Sequence, residues 1–198
     1  MMIEGPCMNE VEAVRSRSQM VQVEALLTKH SDIYLDVWKF GINTALRISD
    51  LLSISTEQAR GLDDANPVLK LREQKTGKVR SILLNTAAYA IIQKRLLEEP
   101  NDMWLFQSKR RMTSRAAPQP ISRRSVARIF ELVGANVVLR VQLSTHSMRK
   151  TRGHALHAAG FSIEAICRVL NHSNTSVTMR YIGLTQADVD KSFTDLVL

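Results

Sequence analysis

The sequence predicts an α+β domain that is mainly helical and carries one small antiparallel β-sheet. Three observations predict it. Apolar residues recur at helical spacing through most of the chain, with Ser, Thr or Asn at the head of several runs and Gly at the foot. Only Val68–Arg72 and Val79–Leu84 read as a pair of strands, on either side of a short polar turn. The chain holds neither internal repeats nor low-complexity tracts, and its 198 residues, 44% of them hydrophobic, suffice for one well-buried domain or two small ones.

Residues 1–20 are mixed and weakly patterned and read as a linker or disordered N-terminus, leaving 21–198 as the folded domain. Helices are expected over Val21–Lys29, on Val23, Leu26 and Leu27, and over Asp32–Asn43, on Ile33, Leu35, Val37, Trp38 and Phe40. A short helix is expected over Ile48–Ile54, with Ser53–Asp64 as loop. The two strands flank Lys75-Thr76-Gly77-Lys78, where Gly77 is free to take a positive φ. Thr86–Leu97 is a helix capped by Asn85 or Thr86, Met103–Phe106 a short buried strand, and Arg115–Pro120 a turn. Ser122 caps a helix that runs to Val133, with Gly134 as its stop. Ser144 or Thr145 opens the helix His146–Ala159, stopped by Gly160, and Ser162 caps Ile163–Leu170. Asn171–Asn174 is a turn, Thr175–Ile182 a short helix carrying Tyr181, and Thr185–Leu196 a terminal helix.

No apolar run approaches the ~20 residues that span a bilayer, and the N-terminus lacks a charged-then-apolar leader. Two cysteines, Cys7 and Cys167, form neither a disulfide framework nor a zinc set, so a reducing, cytoplasmic location is the default. The net charge of +8 is unevenly placed. Between Met103 and Ile163 eleven Lys and Arg face one acid, Glu131, whereas the rest of the chain has 16 basic and 18 acidic residues. A concentrated basic half points to a polyanion partner, since each phosphate neutralised releases condensed counterions; a merely solvated basic face is the bland alternative.

The chemistry-bearing residues fall in one order. Arg47 stands in Leu46-Arg47-Ile48-Ser49-Asp50-Leu51-Leu52, His146 and Arg149 in His146-Ser147-Met148-Arg149, and Tyr181 nine residues after His172. His146 and Arg149, three apart at a helix start, share a face whose free N–H groups also favour an anion. A guanidinium grips two phosphate oxygens at once, which an ammonium does not. Arg47, flanked by apolar residues, needs a partner, and Asp50 is the structural one at hand. A phenol with a pKa of ~10 costs ~4 kcal/mol to ionise at pH 7, a cost that nearby guanidiniums would lower. Taken alone, Tyr181 reads as an ordinary amphipathic-helix residue; the upstream boxes and the spacing to His172 make it a nucleophile candidate. His154 and His157 lack the spacing and the glutamate of a zinc helix, and Cys167 falls on an apolar stripe with Ile163, Ile166 and Leu170.

Together these motifs resemble the tyrosine recombinases of the phage-integrase family. Leu46–Leu52 is similar to the family's first arginine box, and Lys75 to its β-hairpin lysine. His146–Arg149 is similar to its His-x-x-Arg box, Leu170-Asn171-His172-Ser173 to its second histidine motif, and Tyr181 to its nucleophile. The likeness runs from about Val21 to Leu198. It implies a catalytic domain over 21–198 with the DNA breaking-rejoining fold, acting without metal or other cofactor. Tyr181 would attack a DNA phosphodiester to form a 3′-phosphotyrosyl bond. Arg47 and Arg149 would clamp the non-bridging oxygens, and Lys75, with Lys78 as rival, would protonate the leaving 5′-oxygen. His146 would be the base or relay, and His172 would hydrogen-bond the phosphate. Ala45 and Asn171 stand where the family commonly has Gly, and Lys150 where it often has a second His. With about forty residues ahead of Arg47, the expectation is a catalytic domain without the upstream clamp.

Lys78, Arg110, Arg111, Arg123, Arg124, Arg128, Lys150 and Arg152 are the candidate contacts to double-stranded DNA, working through phosphates more than bases. The resemblance implies a homotetramer on paired sites, docked through the C-terminal tail, with a monomer possible without DNA. Two alternatives stay open: a helix-turn-helix regulator formed by Gly160–Leu170 and Ser173–Tyr181, and a type IB topoisomerase-like enzyme.

Overall fold

The computed structural model describes residues 11–109, 117–138, 141–184 and 194. Its elements in order are α1 (Arg17–His30), α2 (Asp32–Thr44), α3 (Ile48–Leu52), α4 (Thr56–Arg60), β1 (Val68–Arg72), β2 (Val79–Leu83), α5 (Thr86–Glu98), α6 (Arg123–Asn136), α7 (Ser147–Ala158), α8 (Ile163–Leu170) and α9 (Thr175–Ile182). The mainly helical α+β architecture is as expected. β1 and β2 pair antiparallel with Val68 opposite Leu83 and Arg72 opposite Val79. Gly77, at φ 68°, turns the chain between them.

Caps explain most helix starts. The side chains of Asn85, Ser122, Ser162 and Asn174 each accept the backbone N–H three residues on, so Asn85 rather than Thr86 opens α5. The body is a large apolar cluster in which Trp38 and Phe40 of α2 meet Phe130 and Phe106, with ring centroids 5.4 and 5.8 Å apart. A second, smaller cluster joins Ala45 to Leu156 of α7, Ile166 and Leu170 of α8 and Ile182 of α9, with Tyr181 packed on its edge. This smaller cluster fixes the three C-terminal helices relative to the end of α2.

Several boundaries differ from expectation. α1 begins at Arg17, and the backbone N–H of buried Val14 donates to Thr151 Oγ1 at 2.9 Å, so residues 11–20 belong to the folded body and not to a linker. The segment expected as loop after α3 contains α4, opened by a capping box between Ser55 and Gln58. Met103–Phe106 makes no full strand; Trp104 forms an isolated bridge with Ser55. Gly134 does not stop α6, which continues to Asn136, because the glycine serves close packing: a Cβ there would lie 2.2 Å from the Val141 carbonyl oxygen. The helix after Thr145 starts at Ser147, with His146 as its N-cap residue. The expected terminal helix Thr185–Leu196 falls outside the described residues apart from Thr194, and Arg110 and Arg111 also lie outside them. No helix among the described residues is long and apolar enough to cross a membrane.

Candidate active site

Four of the six candidate catalytic residues line one open cavity of about 400 Å³: Arg47, Lys75, His146 and Arg149, with Arg123 and Thr145 beside them. They arrive from three places in the chain. Arg47 is the N-cap residue of α3, Lys75 sits in the β1–β2 turn, and His146 and Arg149 open α7. The rival Lys78 is exposed in the same turn and is not among the lining residues.

Tyr181 and His172 complete the group from the α8–α9 side. The Tyr181 hydroxyl lies 3.4 Å from His146 Nδ1 and 3.4 Å from the His146 carbonyl oxygen. The His172 ring stands edge-on to the Tyr181 ring with centroids 4.8 Å apart, and its Nδ1 lies 3.0 Å from Oγ1 of buried Thr178. Lys150 places its Nζ 5.6 Å from the Tyr181 ring centroid.

The end of α8 is the anchor of the site. Three successive carbonyls there, those of Val169, Leu170 and Asn171, accept hydrogen bonds from Arg80, Arg149 and Arg47 respectively. A helix C-terminus carries unsatisfied carbonyls and partial negative charge, so it can hold guanidiniums without cancelling them as a carboxylate would. Arg149, 2% exposed, also donates to the Ala45 carbonyl. Both Ala45 and Asn171 have left-handed backbone, at φ 53° and 50°, the conformation that favours Gly.

Arg47 does not pair with Asp50. Its Nη1 lies 3.0 Å from Oε1 of Glu73, an ion pair set at an angle unsuited to a hydrogen bond. Asp50 is fully buried and instead accepts the backbone N–H of Gln74 at 2.8 Å. Glu73 lies in none of the sequence motifs, although one signal marks it: it continues the inward parity of Leu69 and Leu71 beyond the end of β1. Thr178 and the side chain of Asn171 were missed for want of any such signal.

The electrostatics follow from this packing. Burial pushes the Tyr181 phenol above its ordinary pKa, outweighing the opposite pull of Arg149 and Arg47. Burial, then Arg149 and Arg47, push His172 down to about 4. Burial and a ring of cations headed by Arg149 lower His146 as well. The resting site therefore holds a protonated phenol beside neutral imidazoles under fixed guanidinium charge. Such an arrangement can bind an anion, and it offers the phenol a proton acceptor at hydrogen-bond range.

Of the candidate DNA contacts, Lys78, Arg123, Arg124 and Arg128 are exposed, and Lys150 and Arg152 are half-buried. Arg152 encloses its Nε without a hydrogen-bond partner, and burial lowers its pKa. Lys109 is engaged by Glu99 at 2.6 Å and Asp102 at 2.9 Å. Among the described residues no group of three or more His, Cys, Asp or Glu could hold a metal ion.

Comparison with known proteins gives concordant matches. The model of the Phage integrase family fits residues 19–187. "Probable integrase/recombinase YoeC" of Bacillus subtilis (strain 168) is 34% identical over 180 residues, covering 90% of this chain and 93% of that one. Among solved structures, XerA recombinase aligns with a TM-score of 0.67 at 16% identity, over 94% of this chain and 66% of that one. The Tn1549 transposon integrase in complex with transposon right end DNA aligns at 0.66 and 17% identity, over 98% of this chain and 68% of that one. A lambda integrase tetramer bound to a Holliday junction aligns at 0.65 and 17% identity, over 87% of this chain and 49% of that one. At such identities the structures share the fold, and this chain spans about two thirds of the XerA chain.

Proposed function

The chain belongs to the phage integrase family, the tyrosine-type site-specific DNA recombinases, and on that premise we propose that it breaks and rejoins double-stranded DNA through a 3′-phosphotyrosyl intermediate at Tyr181. The phenol oxygen attacks the scissile phosphorus and gives up its proton to His146, whose Nδ1 is 3.4 Å away. The bond from phosphorus to the 5′-oxygen breaks, and Lys75 protonates that oxygen as it leaves. Arg47 and Arg149 hold the non-bridging oxygens, and His172 donates to the phosphate. Attack by another strand's 5′-hydroxyl reverses these steps and releases Tyr181, so the bond energy is retained and no nucleotide is consumed.

The observation that carries this reading is the phenol held between the His146 and His172 rings, beside the cavity lined by Arg47, Lys75 and Arg149. A phenol pushed above its ordinary pKa requires a base at the moment of attack, and a neutral His146 is suited to that role. Nicked, strand-trapping duplexes from the flanks of its own locus provide the test. The chain should form a covalent protein–DNA adduct that survives a denaturing gel, and Tyr181→Phe should form none. An adduct that persists in Tyr181→Phe would reassign the nucleophile; tight binding without any adduct would reject the reaction.

A further inference from the structure

Glu73 is fully buried at the end of β1, yet it carries a carboxylate. Both of its oxygens are engaged. Oε1 faces Arg47 Nη1 at 3.0 Å and Arg80 Nη1 at 3.5 Å. Oε2 accepts from Asn171 Nδ2 at 2.7 Å and from Thr76 Oγ1 at 2.8 Å. These four partners come from separate parts of the site. Arg47 opens α3, Arg80 lies on β2, Thr76 follows Lys75 in the hairpin turn, and Asn171 precedes His172 at the end of α8.

Resting on the cleavage reading above, we propose that Glu73 is a positioning residue for the reaction: its carboxylate ties the lysine hairpin, the Arg47 guanidinium and the turn that carries His172 into one unit. Three physical features favour it over a purely structural ion pair. Burial opposes the charged form, but donation from Asn171 and Thr76 and the charges of Arg47 and Arg80 prevail and hold the carboxyl below its ordinary pKa. One carboxylate faces two guanidiniums, so Arg47 is oriented without its positive charge being fully cancelled. The Arg47 guanidinium is also fixed from a second side by the Asn171 carbonyl at 3.3 Å, and Asn171 is itself the residue that Glu73 holds. A shift of the carboxylate would therefore move the phosphate clamp, the neighbour of Lys75 and the approach to His172 together.

A neutral isostere cannot replace it. Glutamine offers one oxygen and one NH2, so in either orientation it turns donors toward the Arg pair or toward Asn171 and Thr76. At saturating strand-trapping DNA and with the full chain, Glu73→Gln should slow adduct formation by about 10- to 100-fold while DNA affinity changes by less than about threefold. Glu73→Asp keeps the charge and should recover part of that rate; if Glu73→Gln fails to fold by thermal melting, the rate of Glu73→Asp carries the test and should still fall. In an Arg47→Lys background Glu73→Gln should cost less than about threefold more, because the two act as one unit. A wild-type rate in whichever variant folds, an equal loss in affinity and rate, or full additivity with Arg47→Lys would each overturn the role of Glu73. A wild-type chain that forms no adduct would instead reject the cleavage reading, and the positioning role with it.

Discussion

The two imidazoles of the site are held neutral by burial and by the guanidiniums that make it basic, and this has a consequence for stability. His172, at about 4 in the folded chain against an ordinary 6.5, binds its proton less readily when folded than when unfolded. The unfolded chain therefore takes up the extra proton as pH falls, so the contribution of His172 is complete above 6.5 and is lost as pH drops through 4. His172→Gln has no such proton to bind, and its melting temperature should fall less between pH 7 and 4 than that of the wild type. An identical fall in both would mean that His172 titrates alike in the two states. Much of this site was legible residue by residue, because Arg47, Lys75, His146 and Arg149 sit in short motifs whose spacing reflects one cavity wall. The counter-charge was not. Asp50, three residues after Arg47 in the helix that Arg47 caps, is the partner visible in sequence, whereas Glu73 reaches Arg47 only through the sheet. Ala45 and Asn171 were visible as oddities, and only their left-handed backbone explains them.

At the scale of elements, periodicity found α2, α5, α8, α9 and the hairpin, because each has an apolar face of the right period and a cap or turn at its ends. Where periodicity fails, a capping signal or a tertiary contact sets the boundary instead. Ser16 with Gln19 and Ser55 with Gln58 are capping boxes written in the sequence, and they mark the true start of α1 and the existence of α4. Gly134 is the opposite case: a stop signal locally, overridden by the close passage of the 141–143 segment. Gly134→Ala weighs these effects. Alanine gains about 1 kcal/mol of helix propensity, but its Cβ would sit 2.2 Å from the Val141 oxygen and 3.0 Å from the Leu143 side chain. Overpacking against backbone costs about 1–3 kcal/mol and should prevail. At roughly 2–4 °C per kcal/mol for a domain of this size, the melting temperature should drop by a few degrees. A rise would show that the 141–143 segment yields at no cost.

Across the whole molecule the basic charge counts only where acids leave it uncompensated. The stretch from Met103 to Ile163 is strongly basic in sequence, but Lys109 at its start is held by Glu99 and Asp102. Arg123, Arg124 and Arg128 are exposed on α6, and Arg123 reaches the cavity, so this helix forms a basic approach to the site. For a duplex partner each phosphate contact contributes about 0.9 to the slope of log K against log salt. Replacing all three arginines with Gln should therefore flatten the slope by up to roughly 2.7, with the largest loss of affinity at low salt. Lys109→Gln serves as the internal comparison. It removes the same formal charge per residue from the same basic half, yet it should leave the slope within about 0.3 of wild type because that charge is already neutralised. Measured side by side, the two variants separate net charge from charge that faces DNA. Equal flattening per residue would mean that the chain is drawn to DNA by its overall charge. A flattening confined to the arginines would mean that α6 lies along the phosphates, beside the cavity that Arg123 shares with Arg47 and His146.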